Sequence, residues 1–137
     1  MSETIGLVDY FYVEAADRPG EGARMLDHLR DAGVNLLAFS GFPQGRRAQI
    51  DFVTADAGQL RAAAKAARWK LVGPKKAFLV QGDDRVGAVA EIFDKLAAAK
   101  INVTAADAVC AGSGRYGMIL WVKPRDVKRA ARTLGVG

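Results

Sequence analysis

The chain has 137 residues, of which 50% are hydrophobic, 26% charged and 8% aromatic, a profile that excludes a fibrous or disordered protein and leaves room for one or two small domains. Its net charge of +5 admits an anionic partner, whereas one cysteine, Cys110, excludes an internal disulfide and one histidine, His28, leaves little basis for a histidine metal or triad site. The opening MSETIGLVDY lacks a basic leader and no window nears the ~18 apolar residues of a membrane span, so the expectation is a cytoplasmic protein without cofactor or membrane partner.

Asp9 to Ala16 mixes aromatic and β-branched residues and predicts a strand. Asp17-Arg18-Pro19-Gly20 is turn chemistry: Pro19 presets φ and Gly20 allows close backbone approach. Met25, Leu26, Leu29 and Ala32 then recur at helical spacing, with Arg24, Asp27, His28, Arg30 and Asp31 turned to water, and Gly33 ends the helix. Leu36 to Phe42 and Ala48 to Thr54 read as two strands joined by a turn at Pro43, Gln44 and Gly45. Asp56 caps a second helix with Leu60, Ala63, Ala64 and Ala67 inward. A short strand at Trp69, Leu71 and Val72 follows, closed by Gly73 and Pro74. The order is βαββαβ.

The same order restarts at an offset of about 67 residues. Asp17 corresponds to Asp84, Arg18 to Arg85, Gly20 to Gly87, Asp27 to Asp94, Leu29 to Leu96 and Asn35 to Asn102. KAFLVQG is a strand and DDRVG a loop, and Val86, Val89, Ala90, Phe93, Leu96 and Ala97 form the expected helical stripe. Val103 to Ala111 and Tyr116 to Val122 form a second hairpin around Gly112 and Gly114, and Arg125 to Leu134 a final helix. Residues 1–73 and 74–137 are therefore expected to be two domains. Only Gly135, Val136 and Gly137 remain for the last strand of the second, so Glu3 to Val8 or another subunit is expected to cover the open edge.

Each Asp-Arg-x-Gly loop opens a helix, where free N–H groups and the positive end of the dipole suit a carboxylate or phosphate. DRPG at Asp17 to Gly20 with GVN at Gly33 to Asn35, and DDRVG at Asp83 to Gly87 with INV at Ile101 to Val103, resemble paired ACT domains over essentially the whole chain. The resemblance implies an α+β fold of two ferredoxin-like units, each an antiparallel sheet with helices on one face, the second lacking most of its last strand. It also implies a regulatory protein that is not an enzyme, binding amino acids where two such domains meet and acting on a partner enzyme, with a homodimer as the expected assembly.

On these residues an amino-acid carboxylate would meet the N–H groups of Gly20, Glu21 and Gly22, or of Gly87 and Ala88 beside Val86. Asn35 and Asn102 offer amides, and Asp17 and Asp84 carboxylates for the ammonium. Asp17 and Asp84 fit helix capping equally well, Asn35 fits a helix exit, and Arg18 and Arg85 fit either solvent or an anion. Cys110 is expected to be a small core or interface residue, and the first copy, with Pro19, Gly20 and Asn35 together, the better pocket.

Two rivals are weaker. RNA-recognition domains share this strand order, but their aromatic motifs are missing, and Arg125, Lys128, Arg129 and Arg132 read as a solvated helix face. Acylphosphatases place an arginine after the first strand, but Arg85 is out of register and Asp83 and Asp84 would repel a phosphate.

Overall fold

The computed structural model describes residues 3–136. The chain runs β1 (Thr4–Ala16), α1 (Glu21–Asp31), β2 (Leu36–Gln44), β3 (Arg47–Thr54), α2 (Ala57–Ala66), β4 (Val72–Asp83), α3 (Ala88–Ala98), β5 (Val103–Gly112), β6 (Arg115–Val122) and, after a 3-10 turn at Pro124–Asp126, α4 (Val127–Leu134). It divides into two compact units, one of Asp9–Lys75 and the other of Met1–Val8 with Lys76–Gly137. The α+β ferredoxin-like architecture expected from the sequence is the one the chain adopts.

In the Asp9–Lys75 unit the strand order is β2-β3-β1-β4. β1 pairs antiparallel with β3, Phe11 opposite Phe52 and Val13 opposite Ile50, and β2 pairs antiparallel with β3, Phe39 opposite Phe52. With a period of two, Phe11, Val13, Ala15, Ile50 and Phe52 all face the helices, where Met25 and Leu29 of α1 and Leu60 and Ala63 of α2 close the core. Asp56 caps α2 by accepting the Gln59 N–H at 3.0 Å, as its spacing predicts. His28 departs from expectation: half-buried, its Nε2 lies 2.7 Å from the Ala63 carbonyl oxygen and its ring meets Trp69 edge-on at 5.2 Å, so it ties α1 to α2.

Trp69 also stacks on Phe52 at 6.0 Å, yet its buried indole N–H meets no acceptor among the described residues. An unmatched buried donor costs about 1–3 kcal/mol. Trp69→Phe, which keeps the stack and removes the donor, is expected to stay within about 1 kcal/mol of the parent or exceed it, and Trp69→Ala to be clearly less stable. Urea denaturation of both variants checks this; a Phe variant as weak as the Ala variant contradicts it.

The other unit has the order β1-β4-β6-β5, built from Thr4–Val8 of β1 and Lys76–Asp83 of β4. The segment expected to cover the open edge does so: Ile5 and Leu7 pack on the core of Phe78, Val80, Ile92, Leu96, Met118 and Leu120. The Tyr116 hydroxyl, buried, donates to Glu3 Oε2 at 2.8 Å. The unit boundary thus falls inside β1 and inside β4.

Three local expectations need correction. Gly73 and Pro74 do not close a strand; β4 runs through them, and Trp69 and Leu71 lie before it, packed on the core. Proline is tolerated because Val72–Lys75 is an edge in its unit, and a Cβ on Gly73 would stand 2.8 Å from the Tyr10 carbonyl oxygen. The α3 stripe is Ala88, Ile92 and Leu96, whereas Val86 is 102% exposed and Phe93 36%. That helix is apolar around much of its circumference, so periodicity leaves its phase open. Of the two places expected for Cys110, core or interface, the core is excluded: it is exposed on β5.

Candidate functional site

In a 2-3-1 strand order the end of β1 lies beside the start of β3 and the end of β2, so the loop after β1 faces the β2–β3 hairpin. Between them is an open cleft of ≈ 250 Å³, lined by Ala15, Ala16, Asp17, Arg18, Glu21 and Gly22 from the loop side and by Gly41, Phe42, Pro43, Ala48 and Ile50 from the hairpin. The second unit repeats it with ≈ 330 Å³, lined by Asp84, Arg85, Gly87, Ala88, Val89 and Ala90 against Ala108, Val109, Cys110 and Tyr116. Gly41, Phe42 and Pro43 map onto Ala108, Val109 and Cys110 at the same offset of about 67 residues that relates the loops. The hairpin walls escaped the sequence reading; that offset, combined with the strand order, is the signal that finds them.

Both helices begin at a left-handed glycine, Gly20 at φ 87° and Gly87 at φ 82°, and neither has a side-chain cap. Asp17 and Asp84 are exposed and cap nothing; Asp84 instead accepts the Cys110 thiol at 3.3 Å, which pushes that thiol pKa up. The Glu21 N–H donates to the Arg18 carbonyl oxygen at 3.3 Å and the Ala88 N–H to that of Arg85 at 3.2 Å, so these two amides are engaged within the turn. Pro19 and Val86 sit in the loops without lining either cleft.

Asn35 and Asn102 are not brought to the loops. An 11-residue helix separates each from its loop, about 16 Å along the axis. Asn35 lines a shallow depression with Leu26, Leu29, Arg30, Gly33, Val34 and Leu36, and its carbonyl oxygen accepts the Thr54 hydroxyl at 3.0 Å. Asn102 is exposed.

The charged groups differ between the clefts. In the first, Glu21 is buried, with Arg18 Nε 3.3 Å from its Oε2 and the Arg24 guanidinium hydrogen-bonded to its Oε1. Arg24, and after it Arg18, holds the Glu21 carboxyl below the usual 4.5, against the smaller opposing effect of burial. In the second, Arg85 makes a two-pronged pair with Glu91 at 2.9 and 2.6 Å, both side chains about half exposed. Beside it, burial first and then the Glu3 hydrogen bond push the Tyr116 hydroxyl up to about 12.

A carboxylate whose pKa is lower folded than unfolded adds stability above its unfolded value, and that stability is lost as pH falls through the folded one. Glu21 is therefore expected to make the Asp9–Lys75 unit lose stability as pH drops below 4.5, and Glu21→Gln to flatten that slope. Thermal melts from roughly pH 6 to 2 check this; equal slopes in the two proteins contradict it.

Among the described residues no group of three or more His, Cys, Asp or Glu could hold a metal ion, and no helix is long and apolar enough to cross a membrane. No protein-family model and no curated protein sequence matches the chain. Solved structures do. The chain is similar to a protein from Bacteroides thetaiotaomicron, with TM-score 0.82, 12% identity and coverage of 94% of this chain and 87% of that one. It is similar to the regulatory subunit of aspartate kinase from Thermus thermophilus in its ligand-free form, with TM-score 0.66, 16% identity and coverage of 98% and 95%. The subunit from Thermus flavus gives TM-score 0.65, 16% identity and the same coverage, 98% and 95%.

The chain has the fold of these regulatory subunits. At 12–16% identity the likeness is one of fold alone, and it extends over nearly the whole of each partner. Within that fold the two loop-and-hairpin clefts are the concave features that carry the sequence-predicted loop residues.

Proposed function

We propose that this chain is a regulatory protein of paired ACT-type units that binds an amino acid or similar small molecule and modulates a partner enzyme in the cytoplasm. The observation that carries the reading is the recurrence of one cleft, built from equivalent loop and hairpin residues, in both units. The fold shared with aspartate kinase regulatory subunits supports it. An amino acid brings an ammonium and a carboxylate that both need partners once removed from water. Asp17 and Gly22 in the first cleft, and Asp84, Arg85 and Gly87 in the second, are the polar contacts we assign, with Ala88 as an apolar wall. Because both clefts are open, we assign their outer walls to a second copy of the chain in a homodimer.

The rival readings lose ground on particular contacts. Of the basic face on α4, Arg129 is engaged with the Ala99 carbonyl oxygen and with Asp126 at 3.2 Å, which thins a nucleic-acid surface. The loop around Arg85 also carries Asp83 and Asp84, whose charges oppose an acyl phosphate there.

A thermal-shift screen against the proteinogenic amino acids, nucleotides and a short RNA tests the proposal. A ligand at about 100 times its Kd adds roughly 2.7 kcal/mol, enough to raise Tm by several degrees. One or a few amino acids are expected to do so; a flat response to all of them with a shift on RNA would overturn the reading.

A further inference from the structure

The loop-to-helix junctions of the two units differ at the first helical residue, which is Glu21 in α1 and Ala88 in α3. Neither junction has a side-chain cap, so each leaves helix N–H groups and the positive end of a dipole to meet a negative charge. In α1 the chain provides that charge itself. The Glu21 side chain is only 9% exposed, lines the first cleft and is held between Arg18 and Arg24. Arg18, which lines the cleft, and Arg24, outside its lining, are thus both paired with a tethered carboxylate, whose effective concentration is high. In α3 the first-turn acid is Glu91, which pairs with Arg85 but is 59% exposed and does not line the second cleft, and Ala88 at the position of Glu21 brings no charge into it.

We propose that Glu21 is a resident carboxylate that closes the first cleft to the anionic group of a ligand and so sets the charge selectivity of that cleft. The proposal deepens the ligand-binding reading above and rests on it for its biological meaning. A ligand carboxylate could enter only by displacing Glu21 from both arginines, which leaves a buried carboxylate unpaired beside a like charge. Asp17 lines the same cleft and adds to the bias, so the group admitted there is neutral or cationic. The two clefts, alike in backbone, are thereby unlike in the ligand end they accept.

The test is a titration of the ¹⁵N-labelled full chain with acetate at constant ionic strength, set by chloride, reading the Gly20 and Gly22 amides. In the parent these resonances are expected to stay in place. In Glu21→Ala and Glu21→Gln, where Arg18 and Arg24 are released, they are expected to move and saturate. Saturable movement in the parent, or folded variants as silent as the parent, overturns the proposal. If neither variant folds, the parent titration decides alone. Acetate reports the charge at this one cleft whichever amino acid binds, so a negative amino-acid screen and a negative acetate result are told apart.

Discussion

Removing residues 1–8 is expected to abolish cooperative folding of the unit built on Lys76–Gly137. The cut takes away its first strand, the Ile5 and Leu7 contacts with the Phe78 and Leu96 core, and the Glu3 acceptor of the Tyr116 hydroxyl. Two large aliphatic side chains are worth about 1.5–3 kcal/mol each when fully buried, and these are partly buried. Their loss, the lost ladder with β4 and an orphaned hydroxyl approach the ~5 kcal/mol that holds a small domain together. Amide exchange across β4 to β6 is the measurement; protection there equal to that of the full chain contradicts the expectation. Leu7→Asp in the full-length protein should reproduce much of the loss without shortening the chain.

Phe52→Ala is expected to cost the Asp9–Lys75 unit about 3–5 kcal/mol. Phe52 is fully buried, and its ring lies 5.9 Å from Phe39 and 6.0 Å from Trp69, the latter at an interplanar angle of 7°. Truncation opens a cavity between the sheet and α2 and removes both ring contacts, each worth about 0.5–1.5 kcal/mol beyond area. The chain has two tryptophans, Trp69 in this unit and Trp121 in the other, so each can report on its own unit. In a Trp121→Phe background, denaturation followed by Trp69 should shift to markedly lower urea. A shift below about 1 kcal/mol would mean the site repacks and the stack is not central to the core.

Glu21 and Asp51 are the buried acidic residues, and they show why burial alone does not give function. Glu21 is held low by two arginines, whereas burial pushes the Asp51 carboxyl up, against the Gln49 amide that donates to it at 2.9 Å. Asp51 lies on the helix-free face of its sheet, away from the loop cleft, and belongs to the unit's own polar packing.

Much of the fold was legible in the sequence because its signals are local. The strand period of Phe11, Val13 and Ala15, the Asp56 cap and the glycine starts at Gly20 and Gly87 each depend on residues a few positions apart, and the echo between the two halves repeats such local signals at an offset of about 67 residues. The count of strands even predicted a use for Glu3 to Val8. The phase of α3 was not legible, because too many of its residues are apolar for periodicity to choose Ile92 over Phe93; packing chose.

The loop that opens each helix was readable by itself; the company it keeps was not. Asn35 and Asn102 were expected to offer amides to a ligand at those loops, but an 11-residue helix carries the chain about 16 Å before each asparagine. Sequence order likewise kept Gly41 to Pro43 and Ala108 to Cys110 remote from the loops, yet antiparallel pairing returns them to form the opposite walls. Glu21 could be named as a loop residue from its position, but its burial between Arg18 and Arg24 depends on side-chain packing. Residue spacing along the chain determined the elements and their repeat; which groups meet in a cleft is a property of distances in space, and the tertiary structure alone decided it.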